Sequence, residues 1–388
     1  MRGSNQAKWL SWLLRPFRAG TVSHQPDLVL LTLSGLVIFF GLLMLSSATS
    51  VTSFDRYGDS YYFLKQQLTR GFLPGLLGFL IFIRWPYEKL KKFGWLWLLL
   101  TIGLLLLVFI PGLGIVINNA RSWINIGSIT IQTSEIAKLT FIIYLAIWLE
   151  SKQKHLTDYR NSLLPFIILL AIVAGLILLQ PDVGTLLVFL LVASVMFFTA
   201  GAPWRYLAVF GGLGLASLAV LVTAAPYRFN RLLSFLNPNV DPQGFSYQLK
   251  QALIAVGSGG LWGLGLGHSQ QKFQFLPEVA TDSIFAIIAE EWGFIATGFL
   301  VVVYLMIFLR GLRIAKQSDT MFGKLLAVGI TGWLILQSLI NIGAIIGLLP
   351  LTGLPLTFVS LGGSNLVVVM IALAILLNIS KYTKPANE

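Results

Sequence analysis

Long runs of apolar residues recur along the whole chain and are separated by polar segments. An α-helix needs roughly 20 mostly apolar residues to cross the hydrocarbon core of a bilayer. Ten stretches meet this requirement, near residues 28–48, 62–84, 93–111, 134–150, 162–180, 183–200, 205–223, 283–309, 325–347 and 363–380. The pattern therefore predicts an all-α polytopic membrane protein with ten transmembrane helices, in a single domain over residues 27–380.

Basic residues are concentrated in alternate connecting segments, which indicates an orientation. The positive-inside rule assigns segments rich in Lys and Arg to the cytoplasm. With a cytoplasmic N-terminus, segments such as "RWPYEKLKK" and "RGLRIAK" lie inside, and the inner side holds most of the 27 basic residues. Both termini are thus predicted to be cytoplasmic, as a basic, amphipathic leader (1–26) and a tail (381–388). One long extracytoplasmic loop, residues 224–281, is predicted between spans 7 and 8.

Composition agrees with this interpretation and excludes several function classes. The chain is 56% hydrophobic and 11% charged, whereas soluble domains carry about 25% charged residues. Its net charge of +12 follows from the positive-inside rule, so it does not indicate nucleic-acid binding. The chain has no cysteine and only three scattered histidines, which excludes disulfides, thiolate metal sites, a cysteine nucleophile and a histidine metal cluster.

Four acidic residues stand at the start of the eighth span, in "FLPEVATDSIFAIIAEE". Carboxylates are rare in hydrocarbon unless they have a function or a partner. Asp282 is predicted at the outer mouth, where it can stay ionised and reach a lipid-linked substrate. Glu290 lies about 12 Å deeper, at 1.5 Å per residue. We predict that Asp282 is catalytic and that Glu290 and Glu291 are structural, holding neighbouring helices through hydrogen bonds.

The segment "NNARSWINIGSITIQTSEIAKL" enters the fourth span and allows two interpretations. Ser134 is a candidate N-cap, and Glu135 can pair with Lys138 three residues later on one helix face. In the structural interpretation this is a cap and an ion pair. In the functional interpretation, Arg121 and Lys138 form a cationic site for an anionic headgroup such as pyrophosphate.

The long outer loop contains the glycine-rich stretch "GSGGLWGLGLGHSQQKF". It matches neither the P-loop nor the dinucleotide-binding fingerprint, so nucleotide binding is not indicated. Glycines at this density let backbone approach backbone or ligand closely. A flexible or re-entrant loop and a loop lining a headgroup groove both remain open.

Five stretches together resemble the signatures of a known family. "NARSWINIGSITIQTSEIAKL", "QPDVGT", "FFTAGAPWR", "FLPEVATDSIFAIIAEEWG" and "TGLPLTFVSLGGS" are similar to the motifs of the SEDS family (shape, elongation, division and sporulation). "IAVGSGGLWGLGLGHSQQKFQFLPE" resembles the family's cell-division branch more than its elongation branch. The resemblance implies ten spans with both ends inside. It also implies a peptidoglycan glycosyltransferase that polymerises lipid II at the outer face of the bacterial inner membrane, at the division septum.

The resemblance also implies roles for individual residues. Asp282 matches the family's catalytic aspartate, which takes the proton of the attacking acceptor hydroxyl. The reaction is expected to invert the anomeric centre, with undecaprenyl pyrophosphate as leaving group. Arg121, Lys138 and Lys272 are candidates to neutralise that pyrophosphate. The full set of expected substrate contacts is Arg121, Glu135, Lys138, Asp182, Lys272, Glu278, Ser360, Gly362, Gly363 and Ser364.

Cofactor and partners follow from the same resemblance. The sequence identifies no definite cofactor, and a divalent cation such as Mg²⁺ or Mn²⁺, bound by Asp282 or Glu278, is the one candidate. The expected partners are lipid II, a class B penicillin-binding protein acting as transpeptidase, and other divisome proteins, with no nucleic acid.

Two alternative functions use the same features. A lipid II flippase would use the outer groove and the buried acids Glu290 and Glu291, because buried acids mark transport pathways. A divisome scaffold would use the long loop to recruit a transpeptidase. Acids at the outer mouth favour chemistry there, because a transport path needs polar residues at all depths and the inner half has few.

Overall fold

The computed structural model describes residues 24–383 except 118–119, 128, 207, 209, 213–234 and 236–244. In this part of the chain the helices are α1 Leu28–Tyr57, α2 Tyr62–Gln67, α3 Leu73–Phe82, α4 Gly94–Leu107, α5 Thr133–Lys152, α6 Leu164–Leu178, α7 Val183–Thr199, α8 Phe245–Ser258, α9 Ile284–Gln317, α10 Met321–Ile345 and α11 Gly363–Ser380. A π-helical turn, Leu68–Phe72, joins α2 to α3, and another, Tyr159–Leu163, precedes α6. A 3-10 turn, Tyr87–Phe93, leads into α4.

Nine of the ten predicted spans coincide with helical segments among the described residues. Most of the seventh predicted span, 205–223, lies outside them, as do leader residues 1–23 and tail residues 384–388. By length and composition, six helical segments in the described part of the chain can cross a membrane, namely Leu28–Tyr57, Tyr87–Leu107, Tyr159–Leu178, Ile284–Gln317, Met321–Ile345 and Gly363–Ser380. Large apolar side chains such as Phe39 and Phe299 are 69% and 68% exposed, as expected for helices that face lipid.

A small β-sheet lies between α4 and α5, so the all-α prediction is incomplete. Its strands are β1 Gly114–Ile117, β2 Ala120–Ile126 and β3 Ile129–Gln132, antiparallel in the order β1-β2-β3. Trp123 in the central strand pairs with Gln132 of β3. These segments are rich in β-branched Ile, which favours strands, and they are too short to span a bilayer.

The predicted outer loop also contains regular structure. Residues 245–258 form α8, whose Leu249, Ala252 and Ala255 are buried while Ile254 is exposed. This spacing places one apolar face of α8 against α9. Other parts of the predicted loop, residues 224–234 and 236–244, lie outside the described residues.

The two ends of the chain meet at one end of the helix bundle. His24 donates its backbone N–H to the carbonyl of Lys381 at 3.0 Å, and the backbone N–H of Asp27 donates to Ser380 Oγ at 3.0 Å. This contact places the beginning of α1 beside the end of α11. It fits termini on the same side, and the assignment of that side to the cytoplasm stays a prediction.

Helix α10 occupies the centre of the bundle, and nearly all of its residues are buried. Trp333, Gln337 and Asn341 are spaced four residues apart, so they follow one another along one helix face. All three are buried and carry polar atoms. This central helix therefore presents a row of hydrogen-bonding groups to its neighbours.

Helix α9 is interrupted inside the bundle, and the glycine-rich stretch fills the break. Gly293 has φ 73° and ψ −178°, which is not helical. Main-chain hydrogen bonds of 2.9–3.2 Å cross the break from Leu264 to Glu290, from Gly265 to Glu291, from Phe294 to Gly260 and from Ile295 to Leu261. A Cβ at Gly263 would lie 2.2 Å from the carbonyl oxygen of Glu291. The glycines therefore allow this stretch to supply hydrogen-bond partners to the interrupted helix backbone, and its position inside the membrane stays a prediction.

Candidate functional site

Asp282 lies two residues before the first residue of α9 and is half-buried. Its Oδ1 accepts a hydrogen bond from the hydroxyl of Thr281 at 2.7 Å. Its backbone carbonyl accepts from Asn341 Nδ2 on α10 at 2.8 Å. The second Asn341 hydrogen bond, 2.7 Å, goes to the carbonyl of Leu354. The central helix therefore fixes the main chain at Asp282 while the carboxylate stays partly accessible.

The loop that precedes α11 holds the same segment from the other side. The hydroxyl of Ser360 donates to the carbonyl of Thr281, and the backbone N–H of Leu361 donates to the carbonyl of Ala280 at 2.8 Å. Ser360 Oγ itself accepts from the backbone N–H of Leu356 at 2.8 Å. Residues 280–282 are thus clamped between this loop and α10.

Gly362, Gly363 and Ser364 join the loop to distant elements. The backbone N–H of Gly362 donates to Gln67 Oε1 at 3.0 Å. A Cβ on Gly363 would lie 3.0 Å from the carbonyl oxygen of Arg70. Ser364 Oγ accepts from the backbone N–H of Gln132 at 3.1 Å. In the structure these three predicted substrate contacts fix α2 and β3 to the start of α11, and a substrate role for them stays a prediction.

Glu278 lies near Asp282 and is linked to it by Thr281. The Thr281 hydroxyl is 2.8 Å from Glu278 Oε2 as well as 2.7 Å from Asp282 Oδ1. Glu278 is exposed and has φ 54°, a left-handed conformation that costs energy in a residue with a side chain. The structure therefore brings together the two acids that the sequence placed at the outer mouth.

Glu135 and Lys138 form a buried polar cluster with α10 and α11. Lys138 Nζ lies 2.8 Å from Glu135 Oε1 and 2.7 Å from Gln337 Oε1. Asn365 Nδ2 donates to Glu135 Oε2 at 2.9 Å, and Trp333 Nε1 donates to Gln337 Oε1 at 2.9 Å. The predicted ion pair is present, and both side chains are almost fully buried. It ties α5 to both neighbouring helices.

The predicted Ser134 cap is wrong. Helix α5 begins at Thr133, after Gln132, so Ser134 lies inside the first turn. Its buried hydroxyl has no hydrogen-bond partner among the described residues. The β3 strand runs directly into the helix, which starts two residues earlier than a cap at Ser134 requires.

Lys272 is also held in a buried ion pair. Its Nζ lies 3.1 Å from Glu291 Oε1 and donates to the carbonyl of Gly267 at 2.7 Å. The hydroxyl of Ser47 on α1 donates to Glu291 at 2.8 Å. The pair therefore connects the glycine-rich stretch, α9 and α1. The sequence grouped Lys272 with headgroup cations, and this geometry gives it a positioning role as well.

Glu290 accepts hydrogen bonds from the C-terminal part of the glycine-rich stretch. The backbone N–H of Gln270 donates to Glu290 Oε1 at 3.0 Å, and the hydroxyl of Ser269 donates to Oε2. Glu290 is buried. Its contacts have the character expected for a structural acid, and that role stays a prediction.

Arg121 and Asp182 lie around the turn between α6 and α7, where Asp182 is close enough to Lys138 and Glu135 for their charges to act on its carboxyl. The backbone N–H of Arg121 donates to the carbonyl of Gln180 at 3.0 Å, and its guanidinium lies 5.9 Å from the ring centre of Phe109. Asp182 caps α7 by accepting from the backbone N–H of Thr185 at 3.0 Å. Burial raises the pKa of the Asp182 carboxyl, opposed by this hydrogen bond.

A cavity of about 430 Å³ opens beside Glu278 and Thr281. Its wall is formed by the C-terminal end of α1, the start of α2 and residues 274–281. The lining includes Thr49, Thr52, Arg56, Phe63, Gln274, Pro277 and Leu361. Arg56 is not among the substrate contacts predicted from the sequence. The available signal was a basic residue at the outer end of the first span, where the positive-inside rule does not place one.

The site offers two carboxylates to a metal ion. Among the described residues no group of three or more His, Asp or Glu side chains is placed to hold a metal. A Mg²⁺ ion binds through one or two carboxylates and takes its remaining ligands from water and substrate phosphates, so a Mg²⁺ site at Glu278 and Asp282 stays a prediction.

Comparisons with known proteins agree with this architecture. The family model for the FtsW, RodA and SpoVE cell cycle proteins matches residues 27–385. The chain is 40% identical over 364 residues to stage V sporulation protein E of Bacillus subtilis, covering 94% of this chain and 99% of that protein. It is 39% identical over 363 residues to a probable peptidoglycan glycosyltransferase FtsW of Geobacter sulfurreducens, covering 93% and 96%.

Solved structures show the same fold. The rod shape determining protein RodA of Thermus thermophilus matches with a TM-score of 0.67 and 28% identity, covering 92% of this chain and 98% of that one. A chain from a structure described as the coordination of polymerization and crosslinking by a peptidoglycan synthase complex matches with a TM-score of 0.75 and 28% identity, covering 92% and 97%.

Proposed function

Because the chain belongs to the FtsW, RodA and SpoVE family of cell cycle proteins, we propose that it is a multi-pass membrane peptidoglycan glycosyltransferase that polymerises lipid II. Relatives that cover nearly its whole length carry the name probable peptidoglycan glycosyltransferase. The reaction takes place at the outer face of the bacterial inner membrane, where the predicted orientation puts Asp282.

The position of Asp282 is the observation that supports its proposed role as a general base. Asp282 is half-buried, its main chain is fixed by Asn341, and its carboxylate is joined through Thr281 to the wall of the 430 Å³ cavity. A general base must be held within hydrogen-bond reach of the proton that it removes. The arrangement supports Asp282 in that role.

In the proposed reaction, Asp282 accepts a proton from a hydroxyl of the acceptor sugar as the hydroxyl oxygen attacks the anomeric carbon of the donor. The bond from that carbon to the pyrophosphate oxygen breaks, and undecaprenyl pyrophosphate leaves. Attack opposite the leaving group inverts the anomeric configuration. A pyrophosphate is a good leaving group, so the second carboxyl acid of inverting glycosidases is not needed.

A divalent cation remains part of the proposal as a prediction. When bound by Glu278 and Asp282, it would supply positive charge to the leaving phosphates. Lys138 and Lys272 are each engaged in a buried ion pair, and this limits what they can add to that charge.

The flippase alternative draws no support from the buried acids. Glu290 and Glu291 accept hydrogen bonds from residues 269–270 and from Lys272. Fully engaged acids of this kind explain their burial without a transport path. A divisome scaffold would also bind a partner protein. An assay of glycan polymerisation distinguishes a scaffold from an enzyme.

The test uses purified protein in detergent with lipid II, with and without a partner transpeptidase. Detergent removes the two compartments that a flippase needs, so glycan polymer reports on chemistry alone. We expect polymer from the wild type and none from Asp282→Asn. Unchanged polymer from that variant would refute Asp282 as the base, and no polymer from the wild type with its partner would favour transport or scaffolding.

A class B penicillin-binding protein is the proposed partner, and the division septum the proposed location. The similarity to a chain from a peptidoglycan synthase complex that couples polymerization to crosslinking supports the first, and the FtsW names of relatives support the second. Co-purification from the native membrane, followed by identification of the bound transpeptidase, tests the pairing. Fluorescent tagging of the chain tests the septal position.

A further inference from the structure

The cavity beside Glu278 is connected to the proposed base, Asp282, through the side chain of Thr281. Thr281 lines it, and the Thr281 hydroxyl is 2.7 Å from Asp282 Oδ1. About 430 Å³ falls at the lower end of the range for small-molecule sites. It can hold part of a lipid-linked substrate.

Arg56 supplies positive charge to this cavity. Thr49, Thr52 and Arg56 are spaced three and four residues apart, so they share one face of α1. Among the described residues, Arg56 forms no hydrogen bond or ion pair through its side chain, and it is exposed. Its neighbour Asp55 accepts from Gln274 Nε2 at 2.7 Å. The guanidinium donors of Arg56 are therefore available to a ligand.

Two residues of the cavity wall have strained backbone conformations. Gln274 has φ 66° and Glu278 has φ 54°. Such backbone persists only where the surroundings fix it, and it clusters at ligand-binding sites. The hydrogen bond from Gln274 to Asp55 and the 3.2 Å main-chain hydrogen bond from the Thr281 N–H to the Glu278 carbonyl fix it here. The wall is consequently built in advance of ligand binding.

The chemistry of the lining indicates its ligand. A guanidinium is a planar fork that matches the oxygens of a phosphate or carboxylate. Hydroxyls and a carboxylate, here Thr52, Thr281 and Glu278, suit the hydroxyl groups of a sugar. We infer that Arg56 binds the pyrophosphate of the lipid-linked donor, with the adjoining sugar held against Glu278 and Thr281. This inference rests on the proposed function. It identifies Arg56 as a cation that neutralises the pyrophosphate leaving group of the proposed reaction.

The experiment compares Arg56→Met with Lys65→Met. Lys65 is exposed near the start of α2, is paired with Asp59 at 2.6 Å and lies outside the cavity wall, so its loss controls for the change in surface charge. We expect Arg56→Met to raise KM for lipid II, and to weaken binding of a labelled short-chain polyprenyl pyrophosphate, by roughly tenfold or more. Lys65→Met should change neither value.

A second arm separates two anions of the substrate. Lipid II whose stem-peptide carboxylates are amidated should show the same KM increase with Arg56→Met, because the pyrophosphate is unchanged. Loss of the increase with this substrate, together with normal binding of polyprenyl pyrophosphate, would overturn the pyrophosphate assignment. Unchanged KM and unchanged binding in Arg56→Met would overturn the inference altogether.

The binding arm does not depend on turnover. A wild type that binds polyprenyl pyrophosphate through Arg56 but forms no polymer would refute the proposed function and leave the anion site intact. If Arg56→Met folds poorly, Arg56→Lys keeps the charge without the fork and should show an intermediate loss of affinity.

Discussion

The side-chain amide of Asn341 donates a hydrogen bond of 2.8 Å to the main-chain carbonyl of Asp282. Asn341 is buried on the central helix, and it also donates 2.7 Å to the carbonyl of Leu354. This one side chain therefore couples the proposed base to the loop before α11. The position of Asp282 depends on helix packing as well as on its own sequence neighbours.

Replacing Asn341 by Leu should lower the turnover of lipid II by roughly tenfold to a hundredfold, because small displacements of a catalytic group cost that much. The main-chain carbonyls of Asp282 and Leu354 would also lose a hydrogen-bond donor. Leu339→Ala is the control, since Leu339 is 48% exposed on the same helix. Glycan polymer formed per folded protein gives the measurement, and equal rates in the two variants would contradict the positioning role of Asn341.

The Thr281 hydroxyl is expected to orient the Asp282 carboxylate, 2.7 Å away. Thr281→Val keeps the shape of the side chain but removes this hydrogen bond, so turnover should fall about tenfold. Thr281→Ser keeps the hydroxyl and should recover most of the rate. Steady-state kinetics on purified protein check this, and a serine variant as slow as the valine variant would assign the loss to packing.

The Lys272–Glu291 pair allows a positioning role to be separated from a substrate contact. Removal of one member of a buried pair costs about 3–5 kcal/mol of unfolding free energy, so Lys272→Met should melt at a lower temperature. The double variant Lys272→Met with Glu291→Gln removes both charges and should regain stability. It should also regain polymerisation. A stable double variant without activity would show instead that Lys272 contacts the substrate.

The glycine-rich stretch packs closely against the break in α9. This packing predicts that alanine changes protein stability differently at Gly263 and at Gly257. Gly263→Ala should destabilise the protein, because its Cβ would lie 2.2 Å from the Glu291 carbonyl oxygen and its φ is 80°. Gly257→Ala lies within α8 with open space around it, and it should be neutral or stabilise by up to about 1 kcal/mol. Thermal unfolding in detergent distinguishes the two; similar melting temperatures would argue against the docked segment.

Glu290→Gln should lower the yield of folded protein more than it lowers the specific activity. The glutamine keeps one oxygen acceptor but brings an N–H₂ group to a carboxylate position that receives N–H and O–H donors. Size-exclusion yield and polymer per folded molecule are compared with the wild type. Normal yield with no activity would mean that Glu290 takes part in the reaction.

The prediction of helices succeeded because it depends on local composition. A bilayer demands about 20 apolar residues with internally bonded backbone, and nine predicted spans lie on helices among the described residues. The sheet at residues 114–132 was missed because its strands are short, and the helix at 245–258 because it is not apolar throughout. Their stability comes from pairing and packing with neighbours, which a search for spans does not detect.

For the candidate site, the local sequence predicted Asp282 and Glu278 at one mouth, because both stand just before an apolar span and charged groups are rare within hydrocarbon. It also determined the helical membrane fold and the pairing of Glu135 with Lys138, which are neighbours on one turn. Tertiary structure decided the contacts between residues far apart in the chain, such as Asn341 with Asp282, Gln274 with Asp55, and the glycine-rich segment with the break at Gly293. Those contacts depend on how helices pack and on where buried polar groups find partners, and no local pattern of residues encodes that geometry.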